Sequence, residues 1–269
     1  MGATLIAALG TVGHRVLWCS NGRSAETQTR ATSAGAEACM NLAQLATECD
    51  VIISVCPPDG AQALAAKVAA TNFAGTFVDA NAISPALSAN IGAGFGERYV
   101  DGGIIGPPAR KAGSTRLYLS GARATQVADL FTDSVLASVV LPEGGTAASA
   151  LKMCYAAWTK GNGALLLSVR GLAQRYAVGA ALETEWEISQ PGVLSRAEAL
   201  AGAVAPKAWR FAGEMREIAD TYEKVAMPRG FHDSAAEFYS ALSGFKNQQG
   251  VSLTDLLEHL EQTATASRP

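Results

Sequence analysis

The chain has 269 residues, of which 49% are hydrophobic and 17% are charged, and its formal net charge is −3. This composition supports packed cores and excludes a largely disordered chain, because disordered segments are poor in apolar residues. No basic run provides the cationic face that nucleic acid requires. No apolar stretch of about 18 residues or basic leader pattern occurs, so we expect a cytoplasmic protein without a membrane partner.

The cysteines and histidines predict neither a disulfide framework nor a metal site. The cysteine count is odd, no C-x-x-C pair occurs, and the three histidines are scattered. We therefore expect no metal, and buried, reduced thiols at the five cysteines, Cys19, Cys39, Cys49, Cys56 and Cys154.

Short apolar runs alternate with helical patterns in the first half of the chain. The strand candidates are Arg15–Cys19, Val51–Cys56, Thr76–Ala80 and Tyr99–Ile105. The helix candidates are Ala3–Thr11, Leu42–Cys49, Ala61–Ala70 and Pro85–Phe95. Such alternation predicts a parallel sheet whose strands are joined by crossover helices.

The second half reads as helical throughout. Gly145–Val178 contains no proline and carries large apolar residues at helical spacing, which predicts one helix of ~30 residues and roughly 45 Å. The other predicted helices are Glu183–Ile188, Arg196–Val204, Ala208–Val225, Ser234–Ser243 and Ser252–Thr263. We predict an α/β fold, with a Rossmann-like domain at 1–143 and an all-α domain at 144–269 built on a long interdomain helix.

The N-terminus resembles part of a dinucleotide-binding fingerprint. Met1-Gly2 precedes a helix pattern, and Gly13–Val16 leads into a strand that ends at Ser20–Ser24. This order resembles "G-x-G-x-M-G, helix, G-H-x-V, strand, N-R" of the NAD(P)-dependent oxidoreductases related to β-hydroxyacid and 6-phosphogluconate dehydrogenases. On that alignment the Rossmann domain is truncated, and Gly2 is the last glycine of the fingerprint. The plain alternative is a glycine at a helix start.

The resemblance implies NADP as cofactor, with NAD possible, and places Gly2, Asn21, Arg23 and Ser24 in its site. In such folds an arginine just past the second strand accepts the 2′-phosphate, whereas an acidic residue binds the ribose hydroxyl. A solvated surface arginine is the alternative. Because the pyrophosphate normally rests on the glycine-rich turn, we expect the chain as numbered to bind NADPH weakly.

Two further segments resemble the family's fourth and fifth strands and the loops near the cofactor. They are Asp50–Pro58 (DVIISVCPP) and Phe77–Pro85 (FVDANAISP). The resemblance implies that Cys56, Pro57 and Asn81 contact the cofactor. Two buried strands with ordinary turns are the alternative.

Tyr99–Ser120 resembles the family's substrate loop, D-A-P-V-S-G-G-x-x-G-A-x-x-G-T-L, and implies that Asp101 and Gly106 bind substrate. The family serine is Ile105 here, and the glycine after it is Pro107. In relatives backbone N–H groups at this point hold a substrate carboxylate, and proline has no N–H to offer. A small hydroxy acid bound in the standard way is therefore not expected.

Gly144–Ala156 (GGTAASALKMCYA) resembles the catalytic segment G-x-G-x-x-x-K-x-x-x-N and implies that Lys152 is the catalytic general acid or base. That role requires the pKa of Lys152 to be lowered by burial or a nearby cation. The family asparagine is Ala156 here, and Tyr155 is a candidate substrate contact. A lysine on the exposed stripe of a long helix is the alternative.

Lys207–Tyr239 resembles a C-terminal domain of unknown function, of the DUF1932 type, found in one branch of these oxidoreductases. Trp209 is the candidate substrate contact. Arg210, Glu214 and His232 are further pocket candidates, and ordinary helix packing is the alternative for each.

The resemblance implies an NAD(P)-dependent dehydrogenase or reductase that works as a homodimer. The expected reaction is hydride transfer to or from a carbonyl or hydroxyl carbon of a small substrate. Arg110, Lys111 and Arg116 crowd the substrate loop, so we expect that substrate to be polar or acidic. Two alternatives remain, a non-catalytic dimeric scaffold or binding protein that has lost cofactor binding, and imine reductase-like reduction of a C=N bond.

Overall fold

A computed structural model of the chain describes residues 1–266. The chain forms two compact units, Met1–Met153 and Cys154–Pro269. This division falls inside the long helix, whereas the predicted domains, 1–143 and 144–269, divide the chain ahead of it.

The first unit alternates helices and strands. Its elements are α1 (Gly2–Thr11), β1 (Leu17–Cys19), α2 (Ala25–Ser33), β2 (Glu37–Cys39), α3 (Leu42–Glu48), β3 (Val51–Ser54), α4 (Pro58–Ala69), β4 (Thr76–Asp79), α5 (Pro85–Ala93), β5 (Tyr99–Ile105), β6 (Arg116–Ser120), α6 (Ala124–Asp129) and β7 (Ala137–Val140). The side chains of Ser24, Asn41 and Ser84 accept hydrogen bonds from backbone N–H groups three residues later and so begin α2, α3 and α5.

The strands form two sheets rather than one. β1 pairs with β2 in parallel, and the other five strands follow the order β3-β4-β5-β6-β7. In the dinucleotide-binding order 3-2-1-4-5-6 the first strand lies between the second and the fourth. On the predicted alignment those two strands are β1 and β3, so the sheet divides where the fingerprint's first strand would pair.

One strand pair differs from the all-parallel prediction. β3, β4 and β5 are parallel to one another, but β6 runs antiparallel to β5, with Ile105 opposite Arg116. No helix joins β5 to β6, and a chain that returns without a crossover pairs antiparallel. The sequence analysis also missed α2, β2, β6, α6 and β7.

Side chains from successive strand residues enter two separate cores. Phe77 and Ile52 pack in one core with Phe73, whereas Val78 and Val100 pack in the other. Because neighbouring residues on a strand point to opposite faces, the two cores cover the two faces of the larger sheet. The α/β fold class is confirmed.

The helix α7 (Ala147–Arg175) crosses from the first unit into the second. The second unit then contains α8 (Gly179–Ser189), α9 (Val193–Val204), α10 (Ala208–Lys224), α11 (Gly230–Ala241) and α12 (Leu253–Ala266). Its described residues form helices and short 3₁₀ turns without a strand, as predicted. Among the residues that the structure describes, no helix combines the length and apolarity needed to cross a membrane.

The cysteines only partly match their prediction. Cys39 is buried, and Cys19, Cys49 and Cys56 are half-buried. Cys154 is exposed, so the prediction of a buried thiol is wrong there. Its helical segment has an apolar composition, but one face of that helix is exposed.

Candidate functional site

Asn81 connects the loops that follow β3 and β4. Its side-chain oxygen accepts a hydrogen bond from the backbone N–H of Cys56 at 2.5 Å, and its amide nitrogen donates to Ser54 Oγ at 2.9 Å. The side chain is 3% exposed. Through these two hydrogen bonds Asn81 holds the loops that follow β3 and β4 in a fixed relative position.

Asp79 lies at the end of β4, beside this connection. Its Oδ1 accepts a hydrogen bond from the backbone N–H of Asn81 at 3.0 Å, while Oδ2 is buried and has no partner among the described residues. The pKa of Asp79 is raised from 3.8 to about 6, chiefly by burial and also by the nearby charge of Asp101, while hydrogen bonds from Asn81 oppose the rise. The sequence analysis did not single out Asp79.

Polar and cationic groups gather after β1. Ser24 caps α2, and its Oγ lies 3.1 Å from Thr27 Oγ1, to which Arg30 Nη2 donates at 3.0 Å. Arg23 is exposed just before the cap, and its charge opposes the raised pKa that burial gives Cys56. The sequence analysis missed Thr27 and Arg30, which successive i, i+3 steps along α2, from Ser24 to Thr27 and from Thr27 to Arg30, could have revealed.

The other predicted cofactor residues lie at the starts of helices or in a turn. Gly2 begins α1, and a side chain built at Gly2 would meet only open space. Pro57 precedes α4, and Pro57 and Asn21 are both exposed. All seven predicted cofactor contacts belong to the first unit, and their role stays a prediction.

Asp101 is a fully buried carboxylate at the point where β5 meets the start of α7. Its Oδ2 accepts hydrogen bonds from the backbone N–H of Ser149 at 2.7 Å and from Ser120 Oγ at 3.2 Å. Its Oδ1 accepts from Ser88 Oγ at 2.7 Å and from the Ser149 hydroxyl. These four donors occupy the carboxylate, so Asp101 anchors α7 to the sheet. The predicted substrate contact stays untested.

Lys152 lies one turn further along α7. Its Nζ donates a hydrogen bond to the backbone oxygen of Ile104 at 2.8 Å. The helix approaches β5 closely at Gly103, where an added Cβ would lie 2.7 Å from the Ala148 carbonyl oxygen and 3.3 Å from Lys152 Cβ. Gly106 has a φ of +123° and similar crowding against Ser114, which favours glycine at this turn. The structure therefore brings Lys152 to the predicted substrate loop.

The remaining candidates lie in the second unit. Tyr155 is 44% exposed and Trp209 is 37% exposed, with the Lys246 ammonium 4.3 Å from the Trp209 ring. Ala156 is fully buried, so its side chain packs inside the protein where the family asparagine is expected.

The three further pocket candidates on α10 and α11 lie in different surroundings. Glu214 pairs with Lys160 at 2.8 Å. His232 is 5% exposed, its ring centre lies 4.2 Å from that of Tyr222 with the two rings tilted at 56°, and burial lowers its pKa. Arg210 lies against the Trp209 ring, 5.7 Å from its centre.

Residues 173–242 match the family described as "Domain of unknown function (DUF1932)". No curated protein matches the chain. Many solved structures share the fold. A conserved hypothetical protein from Sinorhizobium meliloti 1021 is 22% identical, with a TM-score of 0.70 over 97% of this chain and 92% of that one. The conserved protein MTH1747, described as similar in structure to 3-hydroxyacid dehydrogenases, is 25% identical, with a TM-score of 0.67 over 90% and 93%.

A third match is the Mycobacterium tuberculosis 3-hydroxyisobutyrate dehydrogenase with L-serine, which is 16% identical, with a TM-score of 0.69 over 97% and 95% of the two chains. The resemblance predicted from the sequence is confirmed. The chain has the two-domain fold of the 3-hydroxyisobutyrate dehydrogenases, and the segment that matches the DUF1932 model lies in its helical part.

Proposed function

We propose that the protein is an NADP-dependent oxidoreductase that transfers a hydride to or from a carbonyl or hydroxyl carbon, with Lys152 as general acid or base. The observation that carries the proposal is the position of Lys152. Its ammonium is held at the carbonyl of Ile104, in the strand that opens the substrate loop, on a unit with the dinucleotide-binding fold. Other structures of this fold contain the cofactor, among them Psf3 with NADP⁺, at a TM-score of 0.64.

The residues after β1 fit the adenosine end of NADP. Arg23, Ser24 and Thr27 offer one cation and two hydroxyl groups at the start of α2, where the helix dipole also favours an anion. Arg30, in the last turn of α2, reaches back to Thr27 and adds a second cation. Gly2 at the start of α1 would lie at the pyrophosphate. NADPH, when bound, supplies the hydride, and the protein residues position the reactants.

Lys152 would exchange a proton with the substrate oxygen. On reduction the ammonium at Nζ donates a proton as the carbonyl oxygen becomes a hydroxyl, and on oxidation the neutral amine accepts it. The Asp101–Ser149 anchor sets the start of α7 and therefore the position of Nζ. Ile104 supplies a carbonyl oxygen that orients the lysine.

The substrate is proposed to be small and polar or acidic. Arg110 and Lys111 are exposed in the loop between β5 and β6, and Arg116 is half-buried at the loop's end, where it donates to the Gly113 oxygen. Three cations in one loop favour an anionic or strongly polar ligand.

Reduction of a C=N bond is the second candidate reaction. It is favoured by the fully buried Ala156, because the neighbour that assists the lysine in the dehydrogenase pattern is lost. An imine reductase from Myxococcus stipitatus with NAD⁺ shares the fold at 18% identity and a TM-score of 0.54. The retained Lys152 favours the carbonyl reaction. A non-catalytic scaffold is the third reading, and the same loss of the asparagine favours it.

We also propose that the protein is a homodimer. Five large apolar residues of α7 are exposed: Tyr155, Trp158, Leu165, Leu172 and Tyr176. Trp158, Leu165 and Leu172 recur every seven residues, and Tyr155 and Tyr176 fit the complementary positions of the same heptad. Such spacing places the five residues in one apolar stripe along α7, called the seam below, and such a stripe usually packs against a second helix.

The test of the reaction measures NADPH oxidation with 2- and 3-oxo acids and cyclic imines, and NADP⁺ reduction with sugar acids, whose hydroxyl carbons donate a hydride. With any substrate that turns over, Lys152→Ala should lower kcat by about 10²–10⁴-fold and leave cofactor binding nearly unchanged. Lys152→Arg should rescue little, since guanidinium stays protonated near neutrality. The exposed Lys67→Ala is the control. Turnover that survives in Lys152→Ala would refute the role of Lys152, and turnover of imines alone would favour the second reaction.

A further inference from the structure

A buried arginine in the second unit has donors without acceptors. Arg170 is 7% exposed, and its Nη2 pairs with Glu183. Its Nε and Nη1 are buried and have no hydrogen-bond partner among the described residues. Buried N–H groups of a charged side chain are costly when they lack acceptors, so a further carboxylate that reaches the guanidinium would stabilise it.

Arg170 lines a cavity of about 230 Å³. Three leucines, Leu194, Leu253 and Leu257, supply apolar wall, and Glu183 and Glu198 line the same cavity. The helix α12 begins at Leu253, so the positive end of its dipole lies at this wall. The cavity therefore combines a cation, an apolar surface and carboxylates.

We propose that this cavity binds a small α-amino acid with an aliphatic side chain, at a site separate from Lys152. The ligand's carboxylate pairs with the Arg170 guanidinium near the start of α12. Its ammonium group pairs with Glu198, and its side chain packs on the leucines. At ~30 Å³ for each water, the volume equals roughly eight waters, which suits an amino acid of the size of valine or leucine.

The two carboxylates of the cavity, Glu183 and Glu198, favour a zwitterionic amino acid over a simple anion. Glu198 is exposed and forms no ion pair with the residues that the structure describes. With Glu183 already paired to Arg170, a second carboxylate would repel an incoming anion. A zwitterion satisfies both, because its negative end meets the guanidinium and its positive end meets Glu198.

Glu183 controls access to the guanidinium. Its side chain is 36% exposed, so it can turn outward and uncover the arginine as the ligand's carboxylate arrives. Arg170 also lies 5.9 Å from the Trp186 ring centre, which holds the guanidinium in place during that exchange. No covalent step is involved.

The test is calorimetric titration of the full chain with L-leucine and L-valine. Both should bind, whereas N-acetyl-L-leucine, which lacks the ammonium, and L-leucinamide, which lacks the carboxylate, should bind at least about tenfold more weakly. Glu198→Gln should weaken L-leucine binding by about tenfold. The matched control Glu258→Gln, an exposed glutamate on α12, should leave it unchanged.

Arg170→Lys should abolish binding, with circular dichroism as the check on folding. If that variant fails to fold, the Glu198→Gln and Glu258→Gln pair decides the question. Absence of binding by either amino acid would overturn the proposal and indicate a cavity filled by water. Equal binding of N-acetyl-L-leucine, or binding that is insensitive to Glu198→Gln, would also overturn it. The site is independent of the proposed reaction, so NADPH turnover does not affect the outcome.

Discussion

At the scale of single residues, the buried Asp79 lowers the unfolding free energy by an amount that depends on pH. Its pKa is raised by burial from 3.8 to about 6, so the folded protein holds this proton more tightly than the unfolded chain. The unfolding free energy therefore falls as the pH rises from about 4 to about 6, and the loss persists above that range. Stability is lost with rising pH here, opposite to the usual case of a carboxylate with a lowered pKa.

Asp79→Asn should consequently stabilise the protein near neutral pH. The amide oxygen can still accept from the Asn81 N–H but carries no charge, so the unfolding free energy should rise by about 1–3 kcal/mol near pH 7.5 and hardly change near pH 4. Urea unfolding at the two pH values measures this. Asp129→Asn, at an exposed position, is the control, and an equal gain at both pH values would disprove the assignment.

Arg23 is the residue that should set cofactor preference. Arg23→Asp replaces a phosphate partner with a repelling charge that can also accept from a ribose hydroxyl, so preference should shift from NADPH to NADH. Loss of the charge-assisted contact is worth roughly 1.5–3 kcal/mol. Titration of both cofactors measures the ratio, and Arg216→Asp, at an exposed position in the second unit, is the control. An unchanged ratio of NADPH to NADH affinity would show that Arg23 does not contact the cofactor.

At the scale of elements, the start of α7 depends on the Asp101 anchor. Ser149→Ala removes a buried hydroxyl that donates to a carboxylate, and should lower the unfolding free energy by about 1.5–3 kcal/mol. Ser168→Ala on the same helix removes only a bond to the Leu165 carbonyl and should cost less than about 0.5 kcal/mol. Denaturant unfolding compares the two, and equal effects would contradict the anchor.

The elements also show what the sequence could predict. The helix α7 and the strand β5 were predicted closely, because long helical periodicity and a continuous apolar run are strong local signals. The strands β2 and β7 are short and expose several side chains, so they carry no such signal. Their pairing depends on neighbours distant in the chain, which local patterns do not encode.

The candidate site was predicted only where a family motif covers it. Lys152 was predicted by motif, and its position beside the substrate loop fits that prediction. The acceptor role of the Ile104 carbonyl was missed, because a backbone contact across the fold leaves no side-chain pattern. Arg170 was missed because a lone arginine in a helix gives no sign of burial.

At the scale of the whole molecule, the exposed seam of α7 predicts the oligomeric state. Light scattering at micromolar concentration should give the mass of a dimer, and Leu165→Glu with Leu172→Glu should convert it to a monomer by placing charges in the seam. Val225→Glu changes an exposed apolar residue outside α7 and should leave the dimer intact. A monomeric wild-type protein would contradict this prediction.

The central claim is that the protein transfers a hydride from NADPH to a substrate carbon. The most direct measurement uses NADPH deuterated at the transferred position of the nicotinamide, at millimolar concentration, with the substrates that oxidise it. Mass spectrometry and NMR of the product should find one deuterium on the carbon that carries the new hydroxyl or amine group. Oxidation of NADPH without deuterium on that carbon, or no oxidation with any oxo acid or imine, would contradict the account.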